Sequence, residues 1–370
     1  MTQCLIVSNG HGEDYIGAQI ARAICDAYPT YSVTAFSLVG DGHWYRHEHI
    51  DVISQNRSMP SGGFIRSLGD LWKDLCAGLV QHHIRQYLHI QSCRAQFDHV
   101  ICVGDIFCLL LGHGSEASRT TFVPSAKSDR FMPHSWIERW IMKSFCSSIF
   151  PRDSETADSL RAHHLPATFL GNPMFDGLYV SERQYTFGNT LPVVGLLPGS
   201  RDDALLNLSL MLDVCSDAIA ARPMHICLAK ASTLSTDELV ATILDHGWAQ
   251  EDVCVFLNSE APQCRLIITD HFPDMLAYSR VVIGLAGTAN EQAVYWGKSV
   301  MTFPGFGPQT TVKRCLEQKQ LLGHLIHFYP TQDVHELALA LLSVIDSTDA
   351  HSVMPQNRQS SAAIVRAILA

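Results

Sequence analysis

Residues 281–297 read VVIGLAGTANEQAVYWG. A short apolar run meets a Gly-rich step, Gly284 to Gly287, and then a segment with helical spacing. An uninterrupted apolar run bounded by glycine suits a strand buried on both faces, as in a parallel sheet. The helical segment opens with small residues and carries a carboxylate, Glu291, one turn in. Thr288 and Glu291 have the T-x-x-E spacing of a capping box, so helix closure alone accounts for both. The small residues Gly287, Thr288, Ala289 and Asn290 also suit a diphosphate approaching the free amides of a helix start. Glu291 would then bind ribose hydroxyls, as acidic residues do in other nucleotide sites. Spacing leaves both readings open.

The same strand–turn–helix unit recurs along the chain. Residues 193–208, VVGLLPGSRDDALLNL, run from a strand through Pro198-Gly199-Ser200-Arg201 into a helix. Ser200 reads as an N-cap with Asp203 three residues on. Arg201 gains nothing from the positive end of a helix dipole, whereas a guanidinium beside free backbone N–H groups makes a pyrophosphate clamp. Gly199, Ser200 and Arg201 are therefore candidate nucleotide contacts. Residues 299–315, SVMTFPGFGPQTTVKRC, place a stiff turn after a strand, with Gln309 and Thr310 facing the ligand and Lys313 and Arg314 as solvated helix charges.

Near the N-terminus, SNGHGEDYIGAQI (8–20) sets Gly10 and Gly12 in a sharp turn and Glu13 and Asp14 at a helix start. Both acids suit helix capping or the helix dipole. Their other reading is catalytic, with carboxylates that favour sugar hydroxyls over phosphate. The spacing is not G-x-G-x-x-G, so the dinucleotide fingerprint fails. In HVICVGDIFCLLLG (99–112), Asp105 ends a buried strand. It reads as an N-cap or as a general base at the strand's carboxyl end.

Strand candidates CLIVSN, SVTAFSLVG, HVICVGD, TTFVPS, SSIFP and ATFLGNP fill the first half. A polar, turn-rich stretch, 179–191, follows as a linker. The alternation restarts with VVGLLPGS, a helix to about Ala221, then MHICLAK, DVCVFLN, RLIITD, RVVIGLAG and SVMTFPG. The sequence thus predicts an α/β protein of two doubly wound, Rossmann-like domains, 1–178 and 192–350, facing a central cleft. The tail 351–370 is expected to be a C-terminal helix that crosses back to the N-terminal domain.

The 370 residues are 47% hydrophobic and 17% charged, which suits two globular domains. A net charge of −10 excludes an overall basic nucleic-acid surface. The 12 cysteines include no C-x-x-C pair and the 19 histidines are scattered, so no metal is expected, and the cysteines read as small hydrophobes in a reduced cytosol. The start, MTQCLIVSNGHGED, lacks the pattern of a signal peptide. No segment reads as a span of about 18 apolar residues. A cytoplasmic location follows.

Two segments read as amphipathic helices with an aromatic apolar face: 62–80, with Phe64, Ile65, Leu68, Leu71, Trp72, Leu75 and Leu79, and 134–145, with Trp136, Arg139, Trp140 and Lys143. Each packs on the core or lies on a membrane surface.

Several stretches together resemble the lipid-A-disaccharide synthase family of GT-B glycosyltransferases. LLPGSR is similar to that family's L-P-G-S-R turn, ATFLGNPMFDGL to its F-V-G-H-P-L-x-D segment, and GLAGTANEQAVYWGKSVM to its S-G-T-A-x-x-E-x-A-L segment. NGHGEDYIGAQIARAI is a shortened, altered form of G-E-x-S-G-D-x-x-G-A. Asn172 replaces a histidine, and FVPSAKSDRFM stands where the family has V-W-A-W, as in a divergent, cyanobacterial-type branch. The resemblance implies a GT-B fold and inverting, metal-free transfer of a GlcNAc- or glucosamine-type hexose from a UDP-sugar to a glycolipid or lipid-like acceptor. It implies Asp105 as the base and Glu291 as a ribose ligand, in a monomer or homodimer at the inner face of the cytoplasmic membrane. A UDP-N-acetylglucosamine 2-epimerase and a non-catalytic nucleotide-sugar binding protein are the alternatives.

Overall fold

The computed structural model describes residues 2–39, 41–54, 79–94, 96–201, 203–308, 310–348 and 359–369. Most of the amphipathic segment 62–80 and also Gln309 lie outside the described residues. The chain divides into two compact units, Met1–Gly177 with Arg358–Ala370, and Leu178–Asn357.

In the first unit, β1 (Gln3–Ser8), α1 (His11–Ala27), β2 (Ser32–Ser37), α2 (His43–His47), β3 (Asp51–Val52), α3 (Leu79–Ser92) and β4 (His99–Gly104) are followed by α4 (Ile106–His113), β5 (Arg119–Pro124), α5 (Trp136–Phe145), β6 (Ser148–Ile149) and α6 (Ser154–Ala162). The strands form one sheet in the order β3-β2-β1-β4-β5-β6. Every pairing is parallel. Apolar side chains cover both faces: Ile16, Ile20 and Ile24 of α1 on one, Ile90, Leu109 and Met142 on the other. That two-sided burial is why β4 reads HVICVG without polar alternation.

ATFLGNP is not a strand, beyond a single bridge from Ile149 to Ala167. Pro173 supplies no N–H, and the Asn172 side chain instead accepts from the Met174 amide, closing a 3-10 turn over Pro173–Phe175. Asp176, at the end of this segment, accepts from the amides of Ser360 (3.1 Å) and Ser361 (2.6 Å). It thereby caps the C-terminal helix Ser360–Leu369 from outside that helix. Ile364, Val365 and Ile368 of this helix are buried in the core layer of α1.

In the second unit, β7 (Val193–Leu197), α7 (Ala204–Ala221), β8 (His225–Ala229), α8 (Thr236–Asp245), β9 (Trp248–Asp252), β10 (Val255–Asn258) and β11 (Arg265–Thr269) precede α9 (Phe272–Tyr278), β12 (Val281–Gly284), α10 (Thr288–Tyr295), β13 (Ser299–Thr302), α11 (Val312–Leu322), β14 (Ile326–Phe328) and α12 (Val334–Ser347). The sheet order is β14-β13-β12-β7-β8-β11-β10-β9. The stretch read as one strand, DVCVFLN, is the second arm of an antiparallel edge hairpin. Its first arm, WAQED, buries only Trp248 and so shows no apolar run, as an edge strand need not.

Helix α7 corrects the sequence reading on apolar length: its 18 residues are long and apolar enough to cross a membrane by length and composition. It buries Leu208, Met211, Leu212, Val214, Cys215, Ala218 and Ile219, and these belong to the core. Residues 179–191 form neither strand nor helix, yet they are fastened down: Ser181 donates through N and Oγ to Asp274 (2.7 and 2.6 Å), and the hydroxyls of Tyr185 and Thr269 lie 2.7 Å apart.

In each sheet the chain reverses its direction of winding beside the first strand, between β1 and β4 and between β7 and β12. The crevice outside the carboxyl ends of the strands at such a point is where doubly wound sheets take ligands.

Candidate functional site

In the second unit, two of the turns singled out from sequence rise side by side at that switch point. Gly284 pairs with Leu197 across β12 and β7, and the next amide, Leu285 N–H, donates to the Leu197 carbonyl (2.9 Å). Gly199 sits at φ +109, a conformation that favours glycine. Ser200 is exposed, and its carbonyl accepts from the Thr233 hydroxyl (2.7 Å). The N-cap reading of Ser200 fails, because α7 begins only at Ala204 with Asp203 as N-cap and no side-chain capping bond. Arg201 is half-buried at the foot of this turn.

The capping box of Thr288 and Glu291 does not form. Gly287 is the N-cap of α10, and no side chain caps it among the described residues. Thr288 is already the first helical residue, one position too late for the box. Gly287 is exposed, with nothing within 4 Å of the place where a Cβ would project. Thr288, Ala289 and Glu291 are half-buried around it.

Asn290 is turned into the fold and is fully buried. Its Nδ2 donates to the Gly284 carbonyl (3.0 Å) and to Gln318 Oε1 (2.9 Å), while Gln318 Nε2 donates to the carbonyls of Ala286 (3.2 Å) and Gly287 (3.3 Å). Asn290 therefore braces the turn from within, where sequence placed it on the ligand, and Gln318 is a brace that sequence did not suggest. Thr310 is likewise buried, donating to the Phe306 carbonyl (2.6 Å). Lys313 is 86% exposed and Arg314 pairs with Glu317 (2.7 Å), as expected of solvated helix charges.

In the first unit, Glu13 and Asp14 part company. Asp14 is 1% exposed and accepts from Ser8 Oγ (2.6 Å) and Ser37 Oγ (2.9 Å), at the paired carboxyl ends of β1 and β2. The Tyr45 hydroxyl lies 2.8 Å from Ser8 Oγ. Asp14 therefore acts as a buried clasp and does not line the edge. Burial pushes its carboxyl up to about 7, against the two serine hydrogen bonds, which favour the ionised form. Ser37 Oγ also lies 2.8 Å from the Val39 carbonyl, and its single hydrogen cannot serve both acceptors. A protonated Asp14 resolves this by donating to Ser37.

A stability prediction follows from Asp14. Its proton is held more tightly in the fold than in the unfolded chain, so its contribution is complete below about pH 4 and is lost as pH rises towards 7. Asp14→Asn mimics the protonated form. We expect wild type to lose up to about 4 kcal/mol more than this variant between pH 4 and pH 8. Urea denaturation of both proteins at the two pH values checks it; parallel losses would contradict it.

Glu13 stays half-buried at the edge. Ser125 Oγ, at the carboxyl end of β5, donates to its Oε1 (3.3 Å). Burial raises its pKa and the Asp105 charge adds to that, while hydrogen bonds from its own backbone amide and from Ser125, and the Arg152 charge, oppose it. Arg152 donates to the Ser125 carbonyl (3.0 Å). Asp105 is the N-cap of α4, its Oδ1 accepting from the amides of Phe107 (3.0 Å) and Cys108 (3.1 Å). Sequence named Glu13 and Asp105 but not Ser125, which reaches Glu13 from the end of β5, or Arg152, which braces Ser125 from beyond β6.

Helix α5 opens with a capping box of Ser135 and Glu138, and Lys127 holds Glu138 at 2.8 Å. It buries Met142 and leaves Trp136, Ile137 and Trp140 at 72, 50 and 62% exposure. A large aromatic face thus stands outside the core. Among the described residues, no group of three His, Cys, Asp or Glu is placed to hold a metal ion.

Over its whole length the chain is similar to solved structures of one fold. They include a Listeria monocytogenes protein assigned as a UDP-N-acetylglucosamine 2-epimerase, at TM-score 0.62 and 14% identity, covering 99% of this chain and 95% of that one. The UDP-GlcNAc 2-epimerase from Neisseria meningitidis bound to UDP-GlcNAc aligns at TM-score 0.57 and 13% identity, covering 100% of each chain. CalG4, the calicheamicin glycosyltransferase, aligns at TM-score 0.59 and 13% identity, covering 100% of this chain and 94% of that one. The protein has the GT-B fold, with two Rossmann-like α/β units built on parallel sheets. No protein-family model and no curated protein matches the sequence, so the lipid-A-disaccharide synthase resemblance is supported as far as the fold.

Proposed function

We propose that this protein is an inverting hexosyltransferase that moves a sugar, of the GlcNAc or glucosamine type, from a UDP-sugar to a lipid-like hydroxyl acceptor. The observation that carries the reading is Glu13. Among the carboxylates that sequence singled out at the switch point of the first unit, Asp14 is a core clasp and Asp105 a helix cap, whereas Glu13 stays half-buried at the strand ends beside Ser125 Oγ (3.3 Å), and burial raises its pKa. A raised carboxylate pKa makes the group a better proton acceptor, as a general base requires.

The donor's diphosphate is assigned to the turns at Gly199–Arg201 and Gly287–Ala289, and the ribose to Glu291. In the reaction the acceptor oxygen bonds to the anomeric carbon, the bond from that carbon to the diphosphate oxygen breaks, and the acceptor proton passes to Glu13. Charge builds on the departing diphosphate. Arg201 and the open amino end of α10 stabilise it without a metal. Asp105, fixed by its two amide donors, keeps Glu13 basic through its charge. The exposed tryptophans of α5, with Arg139 and Lys143 on the same helix, suit the surface of an anionic bilayer, where a lipid acceptor resides. A cytoplasmic, membrane-peripheral protein is the matching location.

The second reading is an epimerase acting on the donor alone, favoured by the two epimerase-like structures. Incubation with UDP-GlcNAc separates the two. We expect UDP release that depends on added bacterial lipid extract, followed by proton NMR. Conversion of UDP-GlcNAc to its 2-epimer without lipid would transfer the protein to the epimerase class.

A further inference from the structure

The turn between β13 and α11 is held in place by one side chain of α7. Asn207 is 1% exposed, on the buried side of α7. Its Nδ2 donates to the Pro198 carbonyl (3.2 Å) and to the Phe306 carbonyl (3.3 Å), and its Oδ1 accepts from the Phe306 amide (2.7 Å). One carboxamide thus satisfies both backbone groups of Phe306, as a neighbouring strand would, and also grips the turn carrying Gly199 and Arg201.

The surroundings are shaped to this contact. Gly305 packs directly on the carboxamide, and a Cβ there would come within 2.9 Å of Leu285 Cδ1 as well as overlapping Asn207 Oδ1. Gly307, at φ +87, lies against the Asp203 carboxylate. Gly305 N–H donates to the Thr310 carbonyl (3.0 Å), closing the turn on itself. A buried amide with its donors and acceptor engaged specifies one arrangement, because breaking it strands polar groups away from water.

We propose that Asn207 is a positioning residue that fixes the 198–201 turn and the 304–308 turn relative to each other, so that a sugar nucleotide spanning both meets a preformed site. The inference rests on the functional reading above and extends it: the diphosphate lies on the first turn and the transferred sugar reaches the second. Loosening the link costs the whole donor more than it costs UDP, because only the donor uses both turns.

The test is Asn207→Asp, which keeps the shape and the acceptor for Phe306 N–H but turns the donor into an oxygen facing two carbonyls. We expect the Kd for UDP-GlcNAc to rise at least about tenfold and that for UDP to rise less than about threefold. The Phe306 amide should exchange with deuterium faster than in wild type. Asn189→Ala is the control: Asn189 lies at the amino-terminal end of the same sheet, bonded to His225 and the Gln263 carbonyl. It should lower Tm and leave the ratio of the two Kd values unchanged. Should Asn207→Asp not fold, Gly305→Ala presses the same carboxamide and carries the same expectation.

An unchanged Kd ratio in Asn207→Asp, or an equal change in Asn189→Ala, would overturn the proposal. If wild type binds neither ligand, the functional reading fails. Exchange at Phe306 then decides the role of Asn207, and equal protection in wild type and variant would refute it.

Discussion

Glu13→Gln is expected to lower kcat by about 10²–10⁴-fold, the range over which a positioned general base contributes. UDP should bind this variant as it binds wild type, since Glu13 lies in the first unit and the turns assigned to the nucleotide lie in the second. The substitution keeps the acceptor for Ser125 Oγ and removes only the ability to take a proton. Asp105→Asn separates Glu13 from the residue that the family resemblance favours as base. Asp105 Oδ1 is engaged by two backbone amides as the cap of α4, so its carboxylate is held at the helix end. An asparagine keeps that cap and removes the charge that supports Glu13, so its loss in kcat should be the smaller. The reverse order would return the base role to Asp105.

Arg201→Ala carries the second large effect. A hydrogen bond to a charged group contributes roughly 1.5–3 kcal/mol, so removing the guanidinium should weaken UDP binding by about 10–150-fold. Arg201 belongs to a turn and neither enters α7 nor joins the core, so the fold should tolerate its loss. The loss should shrink with added salt, since a partly exposed charge is screened. Uridine, which lacks phosphate, should bind wild type and variant alike. Equal affinity of the two proteins for UDP would remove Arg201 from the nucleotide site.

What the sequence made legible were the strands and the turns that follow them. Runs such as VVGLL and HVICVG are buried on both faces, and that burial writes itself as uninterrupted apolar sequence. The glycines after them mark backbone conformation, as at Gly199, so the turns at both switch points could be found.

Side-chain direction was not legible. Asp14 and Glu13 are neighbours with the same charge. One is turned inward only because Ser37, on another strand, waits for it there. Asn290 looked like a ligand contact among small residues, but its partner Gln318 comes from a later helix. The capping box failed by one residue, a distance that spacing does not resolve. WAQED and the short β14 lacked apolar runs because they sit at the edges of their sheet.

The GLAGTANE turn has the geometry of a binding turn, with no side chain capping its helix end among the described residues and its glycine exposed. Calorimetric titration of UDP into the wild-type protein in the presence of EDTA, beside Glu291→Ala and Arg201→Ala, tests that claim most directly. We expect metal-independent binding at one site, weakened by both substitutions. No heat of binding from a folded wild-type protein, or binding that neither substitution weakens, would contradict it.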